Sequence, residues 1–277
     1  MPETTQADIK PQATTGGIRH LGSRLRSYFL WTPLIWLYTI VLGCVSLVVS
    51  FFDPSGERQQ KVARLWSRII LGTVGARVQV EGLGKIDTSK PQVYVVNHLS
   101  AFDIPVLYSY LPFQFRILAK KELFRYPFMG WHLRRSGQIP VVLENPKASV
   151  RSLNLAVAAI RKGNSLVIFP EGGRSLDGQL HSFMGGAFYA AVKAQVDVVP
   201  VALIGTYEML KMNSFHIKPG QVQMVVGSPL STVGMSTRDI AKITERARVA
   251  IGELYYSRCV VPDLRGEQLE TKEPTKL

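Results

Sequence analysis

The sequence predicts an α/β fold: a mixed, mostly buried sheet of about seven strands, flanked by helices and preceded by a membrane-associated helical segment. Two observations along the 277 residues lead to this prediction. Between Gly75 and Tyr256, short apolar runs alternate with patterns of helical period, which is typical of α/β domains. Ahead of this region lies a run of 25 residues without a charge, long enough for a helix in a bilayer.

Seven apolar runs are candidate strands, because each is short and bounded by turn residues. They are Arg77–Glu81, Val93–Val96, Arg116–Ala119, Ile139–Val142, Leu166–Phe169, Val198–Ile204 and Val222–Val226. Helices are predicted after Ser100 and over Pro146–Lys162, Met184–Gln195 and Thr237–Tyr256. For the helix that begins at Pro146, Asn145 is the expected N-cap, and Gly163 follows its last turn.

The uncharged run extends from Tyr28 to Phe52. As a helix it would measure ~37 Å, enough to cross a hydrocarbon core of ~30 Å with some tilt. Aromatic residues lie at both ends, as in interfacial belts, and Pro33 is expected to break or kink the helix near its start. Basic residues flank both sides, so the positive-inside rule does not choose between a span and a re-entrant hairpin.

A second N-terminal helix, predicted over Glu57 to Leu71, is amphipathic. Its apolar stripe consists of Val62, Leu65, Trp66, Ile69 and Ile70, and four cations occupy the remaining surface. Such a helix suits either the headgroup layer of a membrane or the surface of the α/β domain, and both interpretations stay open. The two segments together, residues 28–72, are predicted to form a membrane tether.

The distribution of charge indicates a membrane protein. The net charge of +13 favours phosphates, either of a nucleic acid or of an anionic bilayer. No Asp or Glu occurs from Ile9 to Phe52, so we expect a lipid bilayer as partner and no nucleic acid. The predicted organisation is a disordered basic N-terminus (1–27), the tether (28–72), the α/β domain (73–260) and a charged tail (261–277).

The two cysteines, Cys44 and Cys259, provide neither a disulfide framework nor a metal cluster. This is consistent with a reducing compartment, so we expect the cytoplasmic face of the cell membrane or of an equivalent internal membrane. Motifs of the forms CxxC, HExxH and P-loop are absent from the sequence. We therefore expect neither a metal nor another cofactor.

The segment VYVVNHLSAFDIP combines a predicted strand, a turn and the start of a helix. Ser100 to Asp103 has the pattern of a capping box, which would place Asp103 in the first helical turn and His98 on the loop before it. A paired carboxylate fixes the tautomer of an imidazole and stabilises the imidazolium that forms when it accepts a proton. Taken alone, a His–Asp pair is a weak signal of catalysis, because most isolated pairs of this kind are structural hydrogen bonds.

Covalent catalysis is not indicated. The sequence contains no Gly-x-Ser-x-Gly elbow, and neither cysteine has a base beside it. A base formed by His98 and Asp103 would therefore activate a hydroxyl that belongs to the substrate.

A second candidate segment, FPEGGRS at residues 169–175, follows a strongly apolar run. Gly172 and Gly173 permit close approach of a ligand to the backbone, and Arg174 offers a planar fork for a phosphate. Glu171 would hold that guanidinium or a substrate hydroxyl. A strand-end turn with a surface ion pair remains the alternative.

Together, these segments resemble the glycerophospholipid acyltransferase family, in particular its 1-acyl-glycerol-3-phosphate (lysophosphatidic acid) acyltransferases. The four motifs of the family fall, in order, on His98 and Asp103, on Lys120, Leu123 and Gly130, on residues 169–175, and on the apolar strand that contains Pro200. They cover about residues 93–204.

The resemblance implies an enzyme of phospholipid biosynthesis. Its acyl donor would be acyl-CoA or acyl carrier protein, its acceptor the free hydroxyl of lysophosphatidic acid, and its product phosphatidic acid. His98 would be the general base and Asp103 its orienting partner. The acceptor's glycerol and phosphate would be bound by Lys120, Glu171, Gly172 and Arg174.

Two departures from the family pattern bear on the acceptor. The family has Thr where this sequence has Gly173, and it has a third cation, an Arg, where this sequence has Leu143. Another lysolipid, for example a lyso-aminolipid, therefore remains an alternative acceptor. Two other classes are a lipid hydrolase, against which the missing serine elbow argues, and a non-catalytic membrane-binding module, against which the intact His98–Asp103 pair argues.

Overall fold

The computed structural model describes the backbone of residues 15–142 and 146–259 and the side chains of residues 21–142 and 149–259. The predicted N-cap Asn145, the departure at Leu143 and the predicted tail at 261–277 lie outside the described residues.

The chain begins its described part with a long helix. Helix α1 (Thr15–Arg26) continues through a π-helical turn (Ser27–Trp31) into α2 (Thr32–Ser50). The prediction of disorder up to residue 27 is therefore wrong for Thr15–Arg26. A helix that already exists in the apolar segment can extend towards the N-terminus without a new nucleation cost, and the charge pattern alone did not reveal this.

Pro33 does not end this helix. The turn directly before it is π-helical, and the amide of Thr32 donates to the carbonyl of Ser27. In such a turn the hydrogen bonds are shifted by one residue, so the helix can continue through Pro33, which has no amide hydrogen to donate. Residues Leu21–Ser50 are long and apolar enough, by length and composition, to cross a membrane.

Helix α3 (Glu57–Thr73) packs on the α/β domain. The side chain of Gln60 donates to the carbonyl of Phe113 (2.9 Å), and Arg64 donates to the carbonyls of Leu111 (2.7 Å) and Phe113. The buried face contains Gln59, Gln60, Ala63, Ser67, Ile70 and Leu71, whereas Leu65 of the predicted apolar stripe is exposed. The helix is thus attached to the domain by polar groups as well as apolar ones.

Seven strands form one mixed sheet, as predicted. They are β1 (Arg77–Glu81), β2 (Val93–Val96), β3 (Phe115–Lys120), β4 (Ile139–Val141), β5 (Ser165–Ile168), β6 (Val198–Ile204) and β7 (Gln221–Val226). Their order is β1-β7-β6-β2-β5-β3-β4, and all neighbours are parallel except β6 and β7. Each strand begins and ends within one residue of its predicted bounds.

Helices cover both faces of the sheet. After α3 they are α4 (Asp103–Tyr110), α5 (Met129–Arg135), α6 (Pro146–Arg161), α7 (Gly186–Ala194), α8 (Thr206–Met209) and α9 (Ile240–Tyr256). In β2, Tyr94 and Val96 pack with α3 and α4, whereas Val93 and Val95 pack with α6, α7 and α9. Because alternate side chains of a strand point to opposite faces, β2 is buried on both sides.

The long N-terminal helix contacts the α/β domain at both ends. Near its start, the hydroxyl of Ser27 donates to the carbonyl of Ile217 (2.9 Å). Near its end, Ser46 Oγ lies 2.7 Å from His132 Nδ1, and Arg135 Nε donates to Ser50 Oγ (2.9 Å). The opposite side of the helix carries a continuous row of exposed apolar residues: Phe29, Trp36, Leu37, Ile40, Val41, Val45, Val48, Phe51 and Phe52.

Candidate active site

The predicted site residues follow strands that end at the same edge of the sheet. Strands β2 and β5 are adjacent and parallel, with Val95 opposite Ile168, so the turns that follow them meet. One turn carries His98 and the other carries Glu171. In open parallel sheets, ligands bind at the carboxyl ends of the strands, where such turns converge.

His98 and Asp103 form the predicted pair. His98 Nδ1 lies 2.8 Å from Asp103 Oδ2, and α4 begins at Asp103 itself. The carboxylate is fully buried, and its Oδ2 also accepts the amides of Leu99 (2.7 Å) and Ser100 (2.9 Å). Of the two hydrogen bonds of the predicted capping box, only the one from the Ser100 amide to the Asp103 carboxylate forms. The hydroxyl of Ser100 instead donates to the carbonyl of Leu210 (2.8 Å) and accepts the amide of Phe102.

This arrangement defines the tautomer of His98. A carboxylate oxygen only accepts hydrogen bonds, so Nδ1 is the donor and Nε2 keeps its lone pair. Within the described residues, Nε2 has no hydrogen-bond partner, and the side chain is 19% exposed. The ring stacks on Phe169, with centroids 4.1 Å apart, which fixes its plane. Nε2 can therefore accept a proton from a molecule that binds at this edge.

Glu171 makes two backbone contacts that the sequence did not predict. Its Oε1 accepts the backbone amide of His98 and its Oε2 that of His181, both at 2.9 Å. In the described part of the chain, no ion pair joins it to Arg174, so the predicted surface ion pair is not formed there. Glu171 thus joins the turn that carries His98 to the chain segment that follows the FPEGGRS motif.

Burial raises the pKa of Glu171 from 4.5 to about 7. The two amide hydrogen bonds oppose this rise, and the carboxylates of Asp103 and Asp177 add to it. The raised pKa means that the folded protein binds a proton that the unfolded chain releases between these two pH values. The stability that Glu171 contributes is therefore complete below this window and is lost as the pH rises through about 7.

A Glu171→Gln variant tests this dependence, because glutamine does not titrate. When the pH is raised from about 5 to about 8, the melting temperature of the variant should rise relative to that of the wild type, because only the wild type loses the contribution of protonated Glu171. Thermal unfolding of both proteins in the same detergent at the two pH values measures the effect. A constant difference would show that Glu171 does not titrate in this interval.

The remaining predicted residues follow β5 or end β3, at the same edge of the sheet as this pair. Gly172 has φ +75°, a conformation that favours glycine. A Cβ atom at Gly173 would meet nothing within 4 Å, and nothing in the structure explains the absence of the family's threonine. Arg174 is half-buried and has no hydrogen-bonded or ion-paired partner in the described ranges. Lys120 ends β3, two strand spacings from β2, or about 10 Å.

Two residues make contacts at the site that were not predicted from the sequence. The buried side chain of Asn97 donates to the carbonyl of Leu203 (2.9 Å) and accepts its amide (2.7 Å), which joins the end of β2 to β6. The amide of Ser175 donates to the carbonyl of His98 (2.8 Å). A polar residue directly after a fully apolar strand was the available signal for Asn97.

An apolar cavity of about 160 Å³ lies between the N-terminal helices and the sheet. It is lined by residues of α2, α3, α4, β3 and α5, among them Leu42, Trp66, Ile104, Ile117, Phe128 and Leu133. Almost all of its surface is apolar, so it suits a hydrocarbon chain better than a polar ligand.

Comparison with known proteins agrees with this fold. The family described as Acyltransferase matches residues 77–204. The chain is 35% identical to the chloroplastic 1-acyl-sn-glycerol-3-phosphate acyltransferase LPAT1 of Arabidopsis thaliana over 82% of its own length and 66% of the relative's. It is 30% identical to the 1-acyl-sn-glycerol-3-phosphate acyltransferase of Limnanthes douglasii, over 67% of each chain.

A solved structure extends the comparison to almost the whole chain. The crystal structure of the 1-acyl-sn-glycerophosphate acyltransferase of Thermotoga maritima superimposes with a TM-score of 0.68 and 27% identity, and covers 94% of this chain and 99% of that one. A mixed seven-stranded sheet with a His–Asp pair at its edge thus defines a protein of the acyltransferase class. Within that class, the chain belongs to the family of the 1-acyl-sn-glycerol-3-phosphate acyltransferases.

The chain spans slightly under two thirds of the length of the Arabidopsis relative. Its family membership therefore does not by itself assign the acceptor or the donor.

Proposed function

We propose that this protein transfers a fatty acyl group from an acyl thioester to the free hydroxyl of 1-acyl-glycerol-3-phosphate, which gives phosphatidic acid. The observation that carries the proposal is the unpartnered Nε2 of His98 at the open edge of the sheet, with Nδ1 held by the buried Asp103. The names of the similar proteins support the same acceptor.

The reaction needs only a base and a positioned acceptor. The hydroxyl oxygen attacks the thioester carbonyl carbon while its proton passes to His98 Nε2. Asp103 stabilises the imidazolium through the 2.8 Å hydrogen bond to Nδ1. When the tetrahedral intermediate collapses, the C–S bond breaks and the proton moves from His98 to the leaving thiolate. The products are an ester and a free thiol, so atoms and charge balance without a cofactor.

The proposed location is a membrane surface that the N-terminal helix contacts along its length. Ser27 and Ser50, both bonded to the α/β domain, are separated by about 35 Å along the helix axis. A helix that crossed the bilayer would draw one of these contacts, and the domain with it, through the hydrocarbon. We therefore propose that the exposed apolar row of α2 enters one leaflet from the cytoplasmic side.

The apolar cavity is the proposed site of the acyl chain. It lies between α2, which contacts the membrane in this proposal, and β3, which ends at the edge that carries the catalytic turn. An acyl chain could pass from the bilayer to this edge without exposure to water, which avoids the cost of hydrating its methylene groups.

The decisive assay offers several lysolipids and both donor classes, acyl-CoA and acyl carrier protein, to the purified protein and identifies the products by mass. We expect phosphatidic acid from lysophosphatidic acid. Transfer only to a lyso-aminolipid or another lysolipid would show that lysophosphatidic acid is not the acceptor. This outcome is compatible with Leu143, which stands where the family has an arginine. Thioester turnover that is independent of any acceptor would indicate a hydrolase instead.

Arg174 is the proposed ligand of the acceptor phosphate. Arg174→Ala should raise the KM for lysophosphatidic acid by roughly tenfold or more, because a charge-assisted bidentate contact is lost. Arg174→Lys should restore only part of the affinity, since an ammonium lacks the planar fork. The KM for the donor should change little.

A lysolipid without a phosphomonoester provides the comparison for Arg174. Arg238→Ala is the matched control for the loss of one cation, because Arg238 is exposed in the turn before α9. This variant should leave the KM for both acceptors unchanged. Equal losses of Arg174→Ala on both acceptors would remove Arg174 from the phosphate site.

A further inference from the structure

The loop between α8 and β7, residues 210–220, is attached to the N-terminal helix. The carbonyl of Ile217 accepts the hydroxyl of Ser27, and His216 Nε2 lies 2.9 Å from Ser23 Oγ. The amide of Lys218 donates to the carbonyl of Met209 (2.8 Å), which closes the base of the loop. The loop therefore has a defined position beside the first turns of the helix.

Phe215 projects from this loop into solvent. Its side chain is 59% exposed, and its ring centroid lies 6.2 Å from that of Tyr28, which is also exposed. The next helical residue, Phe29, is 77% exposed. The rings of Tyr28 and Phe215 thus form an exposed apolar contact between the helix and the α/β domain, at the N-terminal end of the exposed row that begins with Phe29. Exposed aromatic clusters of this kind are found at membrane–water interfaces.

The charges around this patch suit an anionic lipid surface. Lys211 and Lys218 of the loop are exposed, as are Arg24 and Arg26 of α1. No Asp or Glu occurs in the sequence between Glu208 and Asp239. Cations beside apolar side chains bind the headgroups of anionic lipids, whereas an apolar protein partner would gain nothing from them.

The loop is also connected to the catalytic turn. Its first residue, Leu210, accepts the hydroxyl of Ser100 through its carbonyl (2.8 Å), and the amide of Ser100 in turn donates to Asp103. The height of this loop above a bilayer therefore sets the height of the catalytic pair.

We propose that residues 211–219 are a second membrane contact, in which Phe215 enters the lipid surface beside Tyr28 while Lys211 and Lys218 bind anionic headgroups. Together with α2, this contact orients the catalytic edge towards an acceptor that lies in the membrane. The orienting role rests on the proposed acyl transfer to a lysolipid, but the membrane contact itself does not.

Depth-dependent quenching tests the contact directly in the full chain. In a Cys44→Ser, Cys259→Ser background, single cysteines are introduced by Phe215→Cys or, as the matched exposed control, Val233→Cys, whose native side chain is 75% exposed. Each is labelled with an environment-sensitive dye and added to phosphatidylcholine–phosphatidylglycerol vesicles that contain brominated acyl chains. We expect quenching at position 215 and none at position 233. Equal quenching or equal lack of it at the two positions overturns the proposal.

Activity tests the consequence. Phe215→Ser should lower turnover of lysophosphatidic acid carried in vesicles by about tenfold, since the variant loses an aromatic side chain that would be partly buried in the lipid. Turnover of a short-chain, monomeric lysolipid should not change, and Val233→Ser should behave as the wild type on both. Equal loss on both acceptors would mean that the loop only supports the fold, and would overturn the proposed orientation.

Two further outcomes are distinguishable. If Phe215→Ser changes the sedimentation of the protein in detergent and position 215 is not quenched, the patch joins two copies of the chain and the proposal is refuted. If the wild type transfers no acyl group to any lysolipid, the proposed function fails, while quenching at position 215 would still establish the membrane contact.

Discussion

His98→Ala should lower turnover by at least ~10²-fold, because the variant has no group that can accept the proton of the acceptor hydroxyl. In the proposed mechanism Nε2 accepts this proton, and Nδ1 is held by Asp103 at 2.8 Å. The fold should persist, since Glu171 and Ser175 hold this turn through the amide and carbonyl of residue 98, which the substitution keeps. Steady-state kinetics and a melting curve measure the two effects.

His181→Ala is the matched control for this substitution. Its imidazole is half exposed and lies 3.4 Å from Asp177, while its contact with Glu171 is made by the backbone. We expect this variant to keep most of its activity. Near-normal turnover by a well-folded His98→Ala protein would contradict the proposed mechanism, whatever the control shows.

Asp103→Asn should also lower turnover by ~10²- to 10⁴-fold, although the geometry of the turn should survive. Three donors converge on Oδ2: the amides of Leu99 and Ser100 and Nδ1 of His98. The new side chain should therefore turn its oxygen to this position, because an NH₂ group there would face two other N–H donors. The tautomer of His98 would be kept, and the variant would lose the negative charge that stabilises the imidazolium.

Asp103→Ala separates charge from geometry. It leaves the amides of Leu99 and Ser100 buried without this acceptor, at a cost of about 1–3 kcal/mol for each unsatisfied group. The alanine variant should therefore melt well below the asparagine variant, although both are nearly inactive. If Asp103→Asn instead turns over like the wild type, the carboxylate charge is not needed, and Asp103 only orients the ring.

Local patterns in the sequence predicted the strands of the sheet and the pairing of His98 with Asp103. Each strand is a short apolar run. Strand β2, for example, is buried on both faces, so it is apolar throughout and could be recognised without knowledge of its neighbours. The pairing of His98 with Asp103 needed only a strand, a turn and a helix start, all within one short segment. The order of the strands was not predicted, because it depends on which distant runs pair.

Contacts between distant segments account for the predictions that were wrong or incomplete. Glu171 was expected to hold either Arg174 or a substrate hydroxyl, and the sequence did not indicate that its oxygens accept the amides of His98 and His181, which strand order brings to it. The apolar stripe of α3 did not show whether the helix lies in the headgroup layer or on the α/β domain. Hydrogen bonds from Gln60 and Arg64 to the loop before β3 hold it on the domain.

The sequence by itself thus determined the α/β class, the positions of the seven strands, the apolar N-terminal segment and the contact between His98 and Asp103, since each rests on residues close together in the chain. Only the tertiary structure decided how the N-terminal helix lies on the domain and what Glu171 holds. It also decided that Ser100 connects the catalytic turn to Leu210. These contacts join residues 73 to 190 positions apart, and their partners are selected by strand order and packing, which no local pattern specifies.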